Sequence, residues 1–251
     1  MQLIKQFFIL SLIVLLGACS SAAVKNPADQ FPKENDSELY WGAIHDIRTR
    51  HYQDAISRFE TLDARYPFGK YSEKGHLYII YAYYMAGQYA LGVTATDRYI
   101  HLHPASQGTG YAYFMKGVMN YQQYLSVMER YFPAQMADRD LKPARESFVY
   151  FSNLSTNYPH DIYTPSAVQY MIYLRNLMAA QTLDIAQYYL KRKAYVAAAD
   201  RANEVILHYQ GTPSVPEALL VASKAYKALD LPGISLEYQN VYDYNQIAHN
   251  S

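Results

Sequence analysis

The chain has 251 residues with 22 basic and 22 acidic side chains, a formal net charge of zero with histidine neutral. That balance leaves no general electrostatic attraction to nucleic acid. A single cysteine excludes an intramolecular disulfide, so stability must come from packing in a chain long enough to bury a sizeable core.

The first element is a leader. Lys5 precedes the apolar run Phe7 to Leu16, which has the length of a signal-peptide core and is too short to span a bilayer comfortably. The run ends in Leu16-Gly17-Ala18-Cys19, which resembles the bacterial lipobox: small residues admit the signal peptidase, and the Cys19 sulfur takes diacylglycerol. Residues 1–18 are then expected to be removed, leaving Cys19 as an N-terminus that also carries an N-acyl chain. Each buried methylene contributes about 0.8 kcal/mol, so several chains anchor stably where one holds only marginally. Ser20 stands where an aspartate would favour the inner membrane, and the same resemblance therefore points to the periplasmic face of the outer membrane. The bland alternative for Cys19 is a buried thiol behind an ordinary leader. Residues 19–36 are expected to form a flexible tether, because Ser20 to Lys33 are small, polar and interrupted by proline.

From about Ser37 onward, alanine, leucine, glutamine and tyrosine dominate, with proline and glycine punctuating stretches of helical length and no convincing strand pattern. Ala55-x3-Phe59 followed by Pro67 reproduces the second half of the tetratricopeptide pattern, with Gly42 and Ala43 as the small residues of its first helix. Gly87-Gln88-Tyr89 fits the next inter-helix turn, and Pro104 closes a second unit 37 residues after Pro67, close to the nominal length of about 34. Tyr52, Tyr89 and Tyr195 each precede the residue that ends their helix, Tyr66, His103 and Tyr209, by 14 positions. The third unit keeps the ending Phe151, Leu154, Tyr158 and Pro159 but has Ala144 in place of the early tyrosine. Its extra length is expected over Met128 to Lys142, around Asp138-Arg139-Asp140. A fourth unit from about Pro165 to Gln210 has a long first helix, and a fifth begins at Ala218 and turns at Leu231-Pro232-Gly233. The expected architecture is all-α: a solenoid of about five helix pairs, with an N-terminal lobe over 37–125 and a C-terminal lobe over 126–251. Such pairs bury their apolar faces only against neighbours and leave a concave surface. The 28 tyrosines suit both inter-helix wedges and peptide-binding grooves.

Catalytic and metal-binding patterns are absent from the sequence. The eight histidines are scattered, and His101 with His103 is an i, i+2 pair that cannot share one helix face. They read as end-of-helix residues before Pro104. There is no H-E-x-x-H, no G-x-S-x-G, and Val93-Thr94 follow Gly92 where a phosphate loop needs lysine and a hydroxyl. Neither an enzyme nor a cofactor is expected. Asn153-Leu154-Ser155 matches a glycosylation acceptor by chance, since Leu154 is an expected core position.

Several runs exceed what a repeat requires. Arg65-Tyr66-Pro67-Phe68-Gly69-Lys70-Tyr71-Ser72 followed by Ile80-Tyr81-Ala82-Tyr83-Tyr84 resembles the BamD outer-membrane assembly lipoproteins. Asp138-Arg139-Asp140, Ala144-Arg145-x2-Phe148, Tyr158-Pro159-x3-Tyr163, Gln187-Tyr188-Tyr189 and Ala194-Tyr195-Val196-Ala197 with Arg201 follow in the family's order. The resemblance implies a non-enzymatic part of the barrel-assembly machinery, which recognises unfolded outer-membrane β-barrel proteins and works with the POTRA domains of BamA and with other lipoproteins of the machinery. It implies that Tyr66, Phe68, Gly69 and Tyr71 border a client pocket, and that Arg201 meets an acidic POTRA group, for which a bidentate guanidinium is suited. Tyr209-Gln210 departs from the family's usual Tyr-Pro, which leaves the fourth unit's ending less secure. The competing assignments are another outer-membrane repeat adaptor, serving a pilus secretin or peptidoglycan enzymes, and a periplasmic enzyme on a helical scaffold. The latter needs a catalytic carboxylate in a cleft, and no residue nominates itself.

Overall fold

Helix initiation is written into the first repeat by Asn35, whose side chain accepts hydrogen bonds from the Ser37 and Glu38 N–H groups while the Glu38 carboxylate accepts from the Asn35 N–H at 2.9 Å. This capping box satisfies donors that the first turn leaves unpaired. It opens α1 (Asp36–Arg48), followed by α2 (Tyr52–Arg65), α3 (Ser72–Met85), α4 (Tyr89–Leu102), α5 (Thr109–Tyr131), α6 (Lys142–Asn157), α7 (Thr164–Lys191), α8 (Tyr195–His208), α9 (Val215–Ala228) and α10 (Pro232–Asn250). The computed structural model describes residues 26–131 and 141–250. Cys19, the leader and Asp138-Arg139-Asp140 lie outside them. Among the described residues there is no strand, and each helix packs on the next in chain order, giving five hairpins stacked in series.

Two turn types alternate along the stack. Within hairpins one, two, four and five, the first helix ends with a left-handed residue, Arg50, Gly87, Lys193 or Asp230, at φ between 61° and 70°. The following N–H reaches back to a carbonyl in the last turn, as from Gln88 to Tyr83 at 2.9 Å and Ala194 to Tyr189 at 3.0 Å. These are Schellman ends, which satisfy carbonyls that no helical N–H can reach. Between hairpins, the capping residues Tyr66, His103, Tyr158 and Tyr209 share nearly the same backbone, φ −121° to −133° and ψ 38° to 59°. Each of their carbonyls accepts a backbone bond three residues on, and a threonine or serine hydroxyl closes the loop, as from Thr109 to His103 and Thr164 to Tyr158, both 2.7 Å. In the fourth connector, Gln210 replaces proline without altering the turn: Thr212 Oγ1 donates to the Tyr209 carbonyl and Arg175 of α7 donates to the Gln210 carbonyl.

The second helices of the first four hairpins, α2, α4, α6 and α8, bury residues at the same three places, 11, 7 and 4 positions before the cap. These are Ala55, Phe59 and Leu62; Gly92, Thr96 and Tyr99; Ser147, Phe151 and Leu154; and Ala198, Ala202 and Val205. The same three places cover one stripe of a 3.6-residue helix, which is why the repeat is detectable. At Gly92 a Cβ would collide with Met119 Sδ and stand 3.2 Å from the Tyr83 Cβ, so glycine lets α5 approach this closely.

Three expectations about boundaries change. Residues 26–35, placed in the tether, are docked: Pro27–Asp29 form a 3-10 turn, Thr61 Oγ1 donates to the Pro27 carbonyl, Arg65 donates to the Phe31 carbonyl, and the Arg58 guanidinium lies 4.5 Å from the Phe31 ring centre. A composition rich in proline and polar residues hid the anchoring role of Phe31. The extra chain of the third hairpin begins later than Met128, because no breaker precedes Pro133 and α5 runs to Tyr131. The division drawn between 125 and 126 falls inside α5, which packs on both α4 and α6; Tyr84 and Phe114 belong to the cores on either side.

Candidate functional site

The first helices of successive hairpins present tyrosines to one groove of about 610 Å³. Its wall comprises Tyr40 and Ile47 of α1, Lys74, Leu77, Tyr78 and Tyr81 of α3, Gln107 and Gly108 of the next connector, Tyr111 of α5, and Tyr163 before α7. Lys74, Tyr78 and Tyr81 recur at i, i+4 and i+7, which sets them on one face of α3. Tyr71 stacks on Tyr40 with centroids 4.6 Å apart and planes inclined by 17°, and Tyr78 meets the edge of Tyr40 at 6.2 Å. Tyr111 and Tyr163 approach to 5.4 Å. Farther along the same set of helices a second apolar depression is lined by Tyr121, Tyr170 and Tyr173, with the Tyr121 hydroxyl donating to that of Tyr173 at 3.0 Å.

This surface is apolar in its faces and polar at its tips. Burial raises the Tyr111 hydroxyl well above the usual tyrosine range, with neighbouring Tyr163, Tyr81 and Tyr78 adding to it, and burial raises Tyr40 in the same direction. Both therefore remain neutral hydroxyls at physiological pH, able to donate and accept. Aromatic walls with hydroxyl tips suit an extended peptide, whose side chains need apolar area and whose backbone needs hydrogen-bond partners.

The four residues nominated for a client pocket separate into different roles. Tyr66 is half-buried against the first core, with the Arg65 guanidinium 5.3 Å from its ring centre. Gly69 donates its N–H to the Tyr66 carbonyl at 3.0 Å, and a Cβ there would stand 3.2 Å from both the Tyr66 Cβ and that oxygen. These two build the connector. Tyr71 extends the groove wall through Tyr40. Phe68 is 99% exposed, although the equivalent connector positions carry Ala105, His160 and Gly211, so the turn itself does not require an aromatic ring. Arg201 is on a separate surface, on α8, exposed and paired with Glu204 at 2.6 Å.

Sequence reasoning missed Tyr40, Tyr78, Tyr111 and Tyr163 as groove residues. The i, i+3 pair Tyr78 and Tyr81 was the available signal, but 28 tyrosines offer many such pairs and periodicity alone cannot separate an inward face from a groove face.

A smaller depression of about 320 Å³ opens between the second helices α2 and α4. At its edge His76 bridges Asp63, 2.7 Å from Nε2, and His103, 3.3 Å from Nδ1, while Arg98 donates to both Asp63 oxygens. Burial works to raise the Asp63 carboxyl, but the hydrogen bonds from His76 and Arg98 outweigh it and hold it below the usual carboxylate range. His103, expected only as a helix-end residue, thus joins three helices, whereas His101 is exposed. Among the described residues no group of three His, Cys, Asp or Glu side chains is placed to hold a metal ion, and no helix is long and apolar enough to cross a membrane.

Residues 32–240 match the YfiO family, described as an outer membrane lipoprotein. The chain is 30% identical to the outer membrane protein assembly factor BamD of Neisseria meningitidis serogroup B over 94% of its own length and 88% of that protein's. It is 34% identical to the BamD of Vibrio cholerae, covering 89% of this chain and 90% of the relative, and 28% identical to that of Haemophilus influenzae, covering 98% and 92%. A match running from the docked strap through to α10 spans every hairpin of the fold, and the chain therefore belongs to the YfiO outer membrane lipoprotein family, that of the BamD assembly factors.

Proposed function

We propose that this protein is a non-enzymatic, lipid-anchored component of the outer-membrane β-barrel assembly machinery, tethered through Cys19 on the periplasmic face. Its N-terminal hairpins hold an extended, aromatic-rich segment of an unfolded barrel protein, and its C-terminal hairpins engage the POTRA region of BamA and other lipoproteins of the machinery. The observation that carries the client role is the tyrosine groove, with Tyr71 stacked on its wall residue Tyr40 and the wholly exposed Phe68 on the adjoining connector. A buried aromatic anchor typically dominates recognition, and a phenyl ring left in water forgoes about 1.5–3 kcal/mol of burial that a ligand could recover.

Trp41, the chain's single tryptophan, is 55% exposed and lies 5.2 Å from Tyr40 at the groove, so it serves as an intrinsic reporter. Titrating the purified mature protein with C-terminal barrel peptides is expected to shift Trp41 emission saturably, and scrambled peptides are expected to bind more weakly. Equal response to both would remove the client role. For the partner surface, Arg201→Glu is expected to reduce co-purification with BamA while leaving the helical circular-dichroism signal intact. Acylation is checked by the mass of the mature N-terminal peptide, and Cys19→Ala should leave the precursor unprocessed.

A further inference from the structure

The two grooves lie on opposite faces of α3: Lys74, Tyr78 and Tyr81 line the tyrosine groove, whereas Gly75, His76 and Ile79 line the depression between α2 and α4. The N-terminal strap enters on the second side. Pro27 lines that depression together with Leu91, Thr94 and Arg98 of α4, and the Thr61 hydroxyl holds the Pro27 carbonyl at 2.7 Å. One step earlier the Asn26 side chain caps the turn, accepting from the Ala28 N–H at 3.1 Å. The point at which the fold hands the chain back toward Cys19 is therefore fixed on the side of the second helices.

We propose that the strap orients the protein on the membrane, so that the α2 and α4 face of the first two hairpins rests against phospholipid headgroups and the tyrosine groove opens away from the bilayer. This rests on the acylation of Cys19 proposed above. Cys19 and Asn26 are separated by seven Cα-to-Cα steps, a reach of about 25 Å at full extension. A helix with its side chains is about 10–12 Å across, so a layer of two is about 20 Å thick. A tether leaving from the α2 and α4 side would spend about 20 Å of that reach rounding the layer, so the tyrosine side meets the lipid only with the tether almost fully extended, whereas the α2 and α4 side meets it with the tether relaxed. The face it does reach is suited to the interface. Leu91 and Leu102 are 54% and 48% exposed and share a helical stripe with Thr94 and Arg98, so apolar side chains alternate with polar ones that can remain among headgroups.

With Cys19 acylated, any cysteine added elsewhere is the only free thiol, which permits a direct measurement. The full-length lipoprotein carrying Thr94→Cys or Lys74→Cys is labelled with a small fluorophore and reconstituted into phosphatidylethanolamine/phosphatidylglycerol vesicles containing headgroup-nitroxide lipid. Quenching at position 94 is expected to exceed that at position 74 by at least threefold. Inserting a 20-residue Gly-Ser segment between Val24 and Lys25 is expected to abolish the contrast, because a tether that long lets either face meet the lipid without being stretched. Equal quenching at the two positions, stronger quenching at 74, or a contrast that survives the insertion would overturn the orientation. Mass spectrometry of the same samples distinguishes the two levels: acylated protein without contrast defeats the orientation alone, whereas protein without acyl chains defeats the anchor and the orientation together.

Discussion

The first three hairpins and the last two use one backbone plan with different side chains. Seven positions before the cap, α2 and α6 bury Phe59 and Phe151, whereas α8 buries Ala202. The later core continues in the same manner, with Ala186, Ala198, Ala218, Ala222 and Ala225 fully buried. Alanine lets helices approach closely and leaves the stack narrow, while bulky rings hold helices apart and open surface between them. Aromatic content is thus not needed to build the repeat. From Tyr40 to Tyr163 it instead lines the groove, and it is there that the proposed client contact is placed.

The sharpest way to break this comparison is to exchange the two kinds of core. Phe151→Ala should destabilise the protein by about 3–5 kcal/mol through the cavity left beneath Phe114 and Tyr170, which pack on that ring. Ala202→Phe should cost about 1–3 kcal/mol or more by overpacking, and chemical denaturation measures both. If the alanine core accepted phenylalanine without loss, the two halves would not differ in packing as described.

Groove residues should behave in the opposite way. Tyr78→Ala, at a side chain 42% exposed, is expected to lower peptide affinity by about tenfold, equivalent to about 1.4 kcal/mol, with a smaller effect on the denaturation midpoint. Isothermal titration beside an unfolding curve separates the two quantities, and a large loss of stability with unchanged affinity would return Tyr78 to the core.

The ion network of the N-terminal hairpins gives a pH signature. Asp63 is held below the usual carboxylate range as described, and Glu73 is lowered chiefly by a hydrogen bond from the Ser106 hydroxyl, against the opposing effect of burial. A carboxylate depressed on folding contributes stability that is complete above its unfolded value near 4 and declines as pH falls through the folded value. Urea midpoints should therefore drop below about pH 4, and Asp63→Asn should flatten that drop while costing about 1–3 kcal/mol at pH 7.

The smallest expected effect tests the turns that both halves share. Arg50, Lys193 and Asp230 occupy the left-handed conformation that Gly87 adopts without a side chain. Replacing any one by glycine should be neutral or stabilise by up to about 1 kcal/mol, because relief of the Cβ clash offsets the added freedom of the unfolded chain. The shift in thermal midpoint should be similar at all three sites.

The 14-residue spacing that ends at Tyr66, His103 and Tyr209 depends only on neighbours along the chain, so a 3.6-residue helix and its cap made the hairpins legible from residue order. The connector roles of Tyr66 and Gly69 were harder to assign, since a motif shows which residues are constrained without showing whether the constraint is a turn or a ligand. Phe31 was missed because its partners, Arg58 and Arg65, lie 27 and 34 positions later, beyond any local pattern.

Order along the chain thus determined the all-helical class, the number of hairpins and the places where they turn, because each follows from short-range periodicity and capping, while the family was legible in runs such as Tyr66 to Ser72 that exceed what a repeat requires. Tertiary structure alone decided that the strap docks, that His103 meets His76, and which tyrosines face a common groove. Those outcomes depend on how side chains from helices tens of residues apart exclude water together, and a linear pattern contains no distance between them.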